Sequence, residues 1–222
     1  AQGFRLLDAL FMFGMIFAGL LFPMFSRQLK TSVPMVLDLV KTSANLLLGG
    51  IVVIVFVTVF NSSLILGWIY NDVKDAIEPF QFLMLGFFPI GMNFIFGTLL
   101  TANGNLKVLN SISAIGILAN ISINIVLIPQ HGALGAAVAT FATQGVTAIA
   151  QFLYCIQKFK IPKKPVGIFK FILLSAGLYY ISDFFYHSPY LMLIQIMTGL
   201  GLIFMLSLID LKAIKKLILT SK

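Results

Sequence analysis

Thr140, Gln144, Thr147 and Gln151 recur at i, i+4, i+7 and i+11, which places four polar side chains on one side of a helix. The preceding apolar run carries Asn110, Ser113, Asn120 and Asn124 at i, i+3, i+10 and i+14, again one side, and an earlier run adds Asn93 and Thr101. Amides in such a setting do one of two things. They bond helix to helix, each bond contributing about 0.6 kcal/mol on average, or they line a shared wet surface. Charge supplies a second candidate. Arg5 and Asp8 stand three apart at the start of the first apolar run, on one helical face where they can pair with each other. The alternative is that Arg5 lines a cavity and meets an anion, since a guanidinium matches phosphate oxygens with paired hydrogen bonds.

Other chemistry is missing. The chain has no HExxH, no GxSxG and no phosphate-cradling glycine loop. His131 and His187 lie in separate connectors without partners at metal-ligand spacing, and the seven acidic residues offer no convincing catalytic pair. No cofactor or metal site is expected, and the chain reads as a protein that is not an enzyme. Cys155 is the single cysteine and cannot form an internal disulfide, so it reads as an inert thiol in a helix. Asn61, Ser62 and Ser63 spell a glycosylation sequon, a weak signal.

The elements that carry these residues are written in the composition. Of 222 residues 59% are hydrophobic and 10% charged, with a mean hydropathy of +1.03. Soluble domains are about 45–50% apolar and about 25% charged. An all-α integral membrane protein follows. A bilayer crossing needs about 20 apolar residues, and that ruler predicts seven spans, over Leu6–Phe25, Ala44–Phe60, Phe80–Leu100, Val108–Ile128, Gly135–Ile156, Gly167–Phe185 and Tyr190–Ile209. The first run lacks the basic start and small-residue cleavage site of a signal peptide. The chain opens on Ala1, directly before a hydrophobic run, as a fragment of a longer protein would.

The net charge of +8 would suggest nucleic acid in a soluble protein, but here the basic residues sit in short loops between apolar runs, which excludes that class. All except Arg5 and Lys74 fall in one alternate set of connectors: Arg27, Lys30 and Lys41, then Lys107, then 158–170, then the C-terminal tail. The positive-inside rule makes that set cytoplasmic, with Ala1 outside and Lys222 inside. Trp68, Tyr70, Tyr179, Tyr180, Tyr186 and Tyr190 fall where an outer aromatic belt belongs. Two connectors are amphipathic: 31–43, with Ser32 as N-cap before Pro34, and 210–222, where Leu211, Ile214, Leu217 and Ile218 alternate with Lys212, Lys215 and Lys216. Both read as helices lying on the inner membrane surface among anionic headgroups.

Between the fourth and fifth spans, Pro129, Gln130, His131 and Gly132 form a polar turn, followed by small residues four apart: Gly132, Ala136, Thr140 and, in parallel, Gly135, Ala139, Thr143. Small residues let helix backbones approach in lipid, so the spans form a bundle. Pro23 and Pro89 free a carbonyl and can bend their helices.

The stretch 103–143, "NGNLKVLNSISAIGILANISINIVLIPQHGALGAAVAT", together with "FRLLDALF" and "FAGLLFPMFSR" upstream, resembles the C-terminal lobe of polysaccharide-biosynthesis flippases of the multidrug/oligosaccharidyl-lipid/polysaccharide exporter superfamily. The resemblance covers nearly the whole chain, and the hairpin pattern is its most specific part. It implies one lobe of a two-lobe, alternating-access bundle in the bacterial inner membrane. Residues 1–209 would be a seven-helix lobe, the second half of a fourteen-helix transporter, and 210–222 a cytoplasmic tail. The implied cargo is an undecaprenyl-diphosphate-linked oligosaccharide, moved from the cytoplasmic to the outer leaflet. The implied partners are that lipid-linked glycan, membrane lipids and the N-terminal lobe of the same polypeptide. In the peptidoglycan-precursor flippases an Arg before a Leu is thought to face the diphosphate, and Arg5 with Leu6 matches it, whereas Asp8 is outside that pattern. The expected substrate-binding residues are Arg5, Asp8, Asn93, Asn120, Asn124, Gln144 and Gln151. Two rivals stand beside this reading: a cation-coupled multidrug exporter, which would want acidic residues in its spans, and a non-transporting scaffold of a glycan synthase complex.

Overall fold

A computed structural model describes residues 2–70, 73–161, 165–186 and 188–209, with side chains from residue 8 onward except at 165 and 166. The Arg5 side chain, Lys163, Lys164, His187 and the tail expected over 210–222 lie outside the described residues. The described residues are all-helical, 89% of them in helix, with no strand among them. In order come α1 (Gln2–Gln28), α2 (Val33–Phe60), α3 (Ser62–Ile69), a 3-10 turn (Lys74–Ala76), α4 (Ile77–Leu85), α5 (Phe87–Ala102), α6 (Leu106–Phe159), α7 (Pro165–Phe184) and α8 (Leu191–Met205). By length and composition five helices among the described residues can cross a membrane, as in a multi-pass membrane protein.

The longest of them is two antiparallel limbs. Gly132 interrupts α6 with φ +54 and ψ −127, a conformation that residues bearing a Cβ rarely adopt. The limbs then fold back so closely that a Cβ on Gly135 would stand 2.4 Å from the Leu127 carbonyl oxygen. The sequence expected this polar turn, but the helix runs on through Pro129 and reverses at the glycine. Gly135, Ala139 and Thr143 are buried along the seam, as the small-residue spacing predicted.

Three boundaries differ from expectation. The amphipathic stretch 31–43 is not a separate surface helix. Ser32 does cap it, its hydroxyl accepting from the Met35 amide at 3.3 Å, but the helix continues unbroken into the predicted span. Val36, Leu39 and Val40 are buried against the bundle and hold it there. The third predicted span is divided at Gly86 into α4 and α5. Pro89 stands in the first turn of α5, where a missing amide hydrogen costs least. The last helix stops at Met205, short of Ile209. Ser207 takes a left-handed φ of 50, and the Leu208 amide returns to the Ile203 carbonyl at 3.0 Å, a Schellman closure sealed by the buried Leu208 and Ile203 side chains.

α2 is the centre of the bundle. Leu48, Ile51 and Val55 face the core built by Phe80, Met84, Phe96 and Leu99 of α4 and α5. Val52, Val53 and Val57 face Leu174 and Leu178 of α7 and Ile203 of α8. The end of α2 is tied by amides the sequence reading did not assemble. Asn61 Nδ2 donates to Gln195 Oε1 at 2.7 Å and to the Val57 carbonyl at 2.8 Å, and Gln195 Nε2 donates to Ser182 Oγ at 2.7 Å. Asn61 is therefore a buried structural residue.

Candidate functional site

α5 positions the site. Asn93, Phe94, Gly97, Thr98 and Thr101 recur at three and four residues along one of its faces. α1 runs alongside, its Phe11 ring 4.9 Å from Phe94. The second limb of α6 packs on the other side, with Cys155 Sγ donating to the Phe96 carbonyl at 3.9 Å. Between these three walls lies a cavity of about 420 Å³, lined by Phe11, Ala18 and Phe22 of α1, by Ile90 and the α5 face, by Leu109, Asn110 and Ser113 of the first α6 limb, and by Gln144 and Gln151 of the second. That volume lies within the range of about 300–1,000 Å³ common to small-molecule sites.

The two polar stripes therefore meet, in part. Asn93 Nδ2 donates to Gln144 Oε1 at 2.8 Å and, more weakly, to Thr147 Oγ1 at 3.4 Å. Gln151 is only 5% exposed. Its Oε1 and the Oδ1 of Asn93 are buried and have no hydrogen-bond partner, a state that costs about 1–3 kcal/mol per group when nothing satisfies it.

Asn120 and Asn124 are not among the residues that line this cavity. Asn120 Nδ2 donates to Thr143 Oγ1 at 3.0 Å across the hairpin, and Asn124 Nδ2 donates to Asn120 Oδ1 at 2.8 Å. The stripe they belong to on paper is long, and its far half serves the hairpin seam instead. Asp8 is exposed and also outside the lining. Thr98 and Gly97 were missed, although both fall at helical spacing with Asn93 and Thr101. The aromatic wall of Phe11, Phe22 and Phe94 was also missed, because phenylalanine is so frequent in this chain that no single ring stands out.

Among the described residues none that lines the cavity carries a charge, and no group of three or more His, Cys, Asp or Glu side chains comes together. The arrangement can bind by neutral hydrogen bonding and ring contact. Comparison of the chain with protein-family models, with curated proteins and with solved structures found no match.

Proposed function

We propose that the chain forms one lobe of a bacterial inner-membrane flippase that moves an undecaprenyl-diphosphate-linked oligosaccharide between leaflets by alternating access. The observation that carries the reading is a neutral, amide- and hydroxyl-lined cavity walled by helices of bilayer length. In lipid, packing alone is served by bonded amides, whereas the amides and hydroxyls of Asn110, Ser113 and Gln144 along an open cavity are what a hydroxyl-rich cargo would bond. The second lobe would close the open side of the cavity.

A cation-coupled drug exporter fits less well, since an amphipathic cation is held by carboxylates and the described lining has none. The scaffold alternative accounts for the bonds of Asn120 and Asn124, which stay within the hairpin, but not for the polar side chains of Asn110, Ser113 and Gln144 along the cavity. The test is reconstitution of the full-length protein in vesicles with a fluorescent polyprenyl-diphosphate glycan, followed by its exposure to an impermeant quencher. Flipping in protein-containing vesicles alone supports the proposal, and Arg5→Ala should abolish it if Arg5 meets the diphosphate. Absence of flipping removes the reading.

A further inference from the structure

The cavity occupies only part of the depth of the bundle. At one end its lining reaches Thr101, in the last turn of α5, and Asn110, in the second turn of α6; at the other it stops at Ile90, Asn93 and Gln144. The first end is the basic one. Lys30 follows α1 there, Lys107 stands in the first turn of α6, and Lys158 and Lys160 mark where α6 finishes. The opposite end holds the α6 reversal with His131, and Asp75 and Glu78 around the start of α4. Asn110 and Ser113 are exposed along the cavity toward the basic end. Ser111 and Ser122 of the same limb, outside the lining, donate instead to the Lys107 and Leu118 carbonyls of their own helix, both at 2.9 Å. That internal bond is what a hydroxyl facing lipid requires, whereas the exposed Asn110 amide requires water.

Two contacts cross the bundle where the lining ends. The Phe94 ring lies on the backbone of α1 at Gly14, where any Cβ would overlap it, and Phe11 meets the same ring edge-on at 4.9 Å. The next residue on α5 ties the other side: Asn93 Nδ2 donates to Gln144 Oε1 at 2.8 Å. Beyond this level the two α6 limbs leave no passage between them. A Cβ on Gly116 would overlap the Thr147 methyl, and Asn120 Nδ2 donates to Thr143 Oγ1 at 3.0 Å. Gly14 offers no side chain to interlock with Phe94, and the other face of α1, with Met12, Phe13, Ile16 and Leu20, is exposed. A tilt of α1 would therefore part the ring from the helix without dragging a packed core along.

We infer that Phe94 seated on Gly14, together with the Asn93 to Gln144 bond, is a gate that shuts the cavity midway, leaving it open toward the basic end and closed toward the end that carries His131. The inference rests on the transport reading of this cavity and adds its barrier; it does not depend on which cargo is carried.

The experiment uses the full-length protein in vesicles, with Cys155→Ala, no other native cysteine, and one reporter at a time. Ser113→Cys reports the cavity, while the exposed positions Lys107→Cys and His131→Cys mark the two ends. An impermeant maleimide is applied to right-side-out and to inverted vesicles. Ser113→Cys should label from the side that labels Lys107→Cys, and about tenfold or more slowly from the side that labels His131→Cys, as a minor open state of about 0.1–10% allows. Adding Phe94→Ala should bring the two rates together, and Phe94→Leu, which keeps an apolar side chain in place, should shift them the same way. Phe22→Ala removes a ring from the cavity lining on the basic side of the gate and should leave the sidedness as it was. Equal rates from both sides in the parent, labelling from the His131 side alone, or sidedness unmoved in both Phe94 variants each overturns the gate. Flipping of a fluorescent polyprenyl-diphosphate glycan is measured on the same reporter protein: sided labelling without flipping overturns the flippase reading and leaves the barrier standing, and flipping without sided labelling does the reverse.

Discussion

Asn93 Nδ2 and Gln144 Oε1 are 2.8 Å apart and join α5 to the second limb of α6, while the Oδ1 of the same Asn93 is buried without a partner beside the cavity. Asn93 thus serves packing with its nitrogen and is also one of the residues that line the cavity.

Replacing Asn93 by Leu should separate those roles. Interhelical bonds in membranes contribute about 0.6 kcal/mol on average and about 1.7 at most, so thermal unfolding in detergent should move by only a few degrees. Transport should fall much further. A variant that keeps its flipping rate would assign Asn93 to packing alone.

The hairpin should be intolerant where it is tightest. Gly135→Ala sets a methyl against the Leu127 carbonyl, at a position whose Cβ would lie 2.4 Å from that oxygen. Backbone cannot swing away as a side chain can, so a cost of about 1–3 kcal/mol is expected. Gly132→Ala should cost a similar amount, about 1–3 kcal/mol, because its φ of +54 with ψ −127 is a strained conformation for alanine. Gly145→Ala, inside the helix with open space around it, is the control and should leave the melting temperature unlowered or slightly raised.

Asn61 and Gln195 should be coupled. Asn61→Ala removes a donor from the fully buried Gln195 Oε1, which should cost about 1–3 kcal/mol. A double-mutant cycle with Gln195→Ala should return an interaction of about 0.5–3 kcal/mol. Independent effects would show that the contact carries no energy. Expression in a glycosylating host should give a band that glycosidase does not shift at Asn61.

Cys155 is fully buried between α5 and α6. A membrane-permeant maleimide should leave it unmodified in the folded protein and modify it after denaturation. Modification at equal rates in both conditions would place the second limb of α6 away from α5.

Periodicity made much of this architecture legible. The long apolar helices, the Ser32 cap and the reversal near Gly132 follow from spacing and turn chemistry, which are local. The meeting of Asn93 with Gln144 and Gln151 was legible as two polar stripes, but their extent was not: Asn120 and Asn124 continue the stripe by angle and leave it by depth, since the limbs close on each other toward Gly132. The linkage of Asn61, Ser182 and Gln195 was illegible, because each is a lone polar residue in a different apolar run and only the packing of α7 and α8 on α2 brings them together. The single helix Val33–Phe60 was misread as two because an amphipathic face looks the same against headgroups as against Phe80 and Leu83.

The most direct test of the central claim, that this cavity is the path of a lipid-linked glycan, is the flipping rate of a fluorescent polyprenyl-diphosphate glycan in vesicles holding the wild type or Gln151→Leu at equal density. The account predicts flipping by the wild type and a loss of roughly tenfold or more in the variant, with both proteins melting within a few degrees of each other. Equal rates would mean that the glycan passes elsewhere.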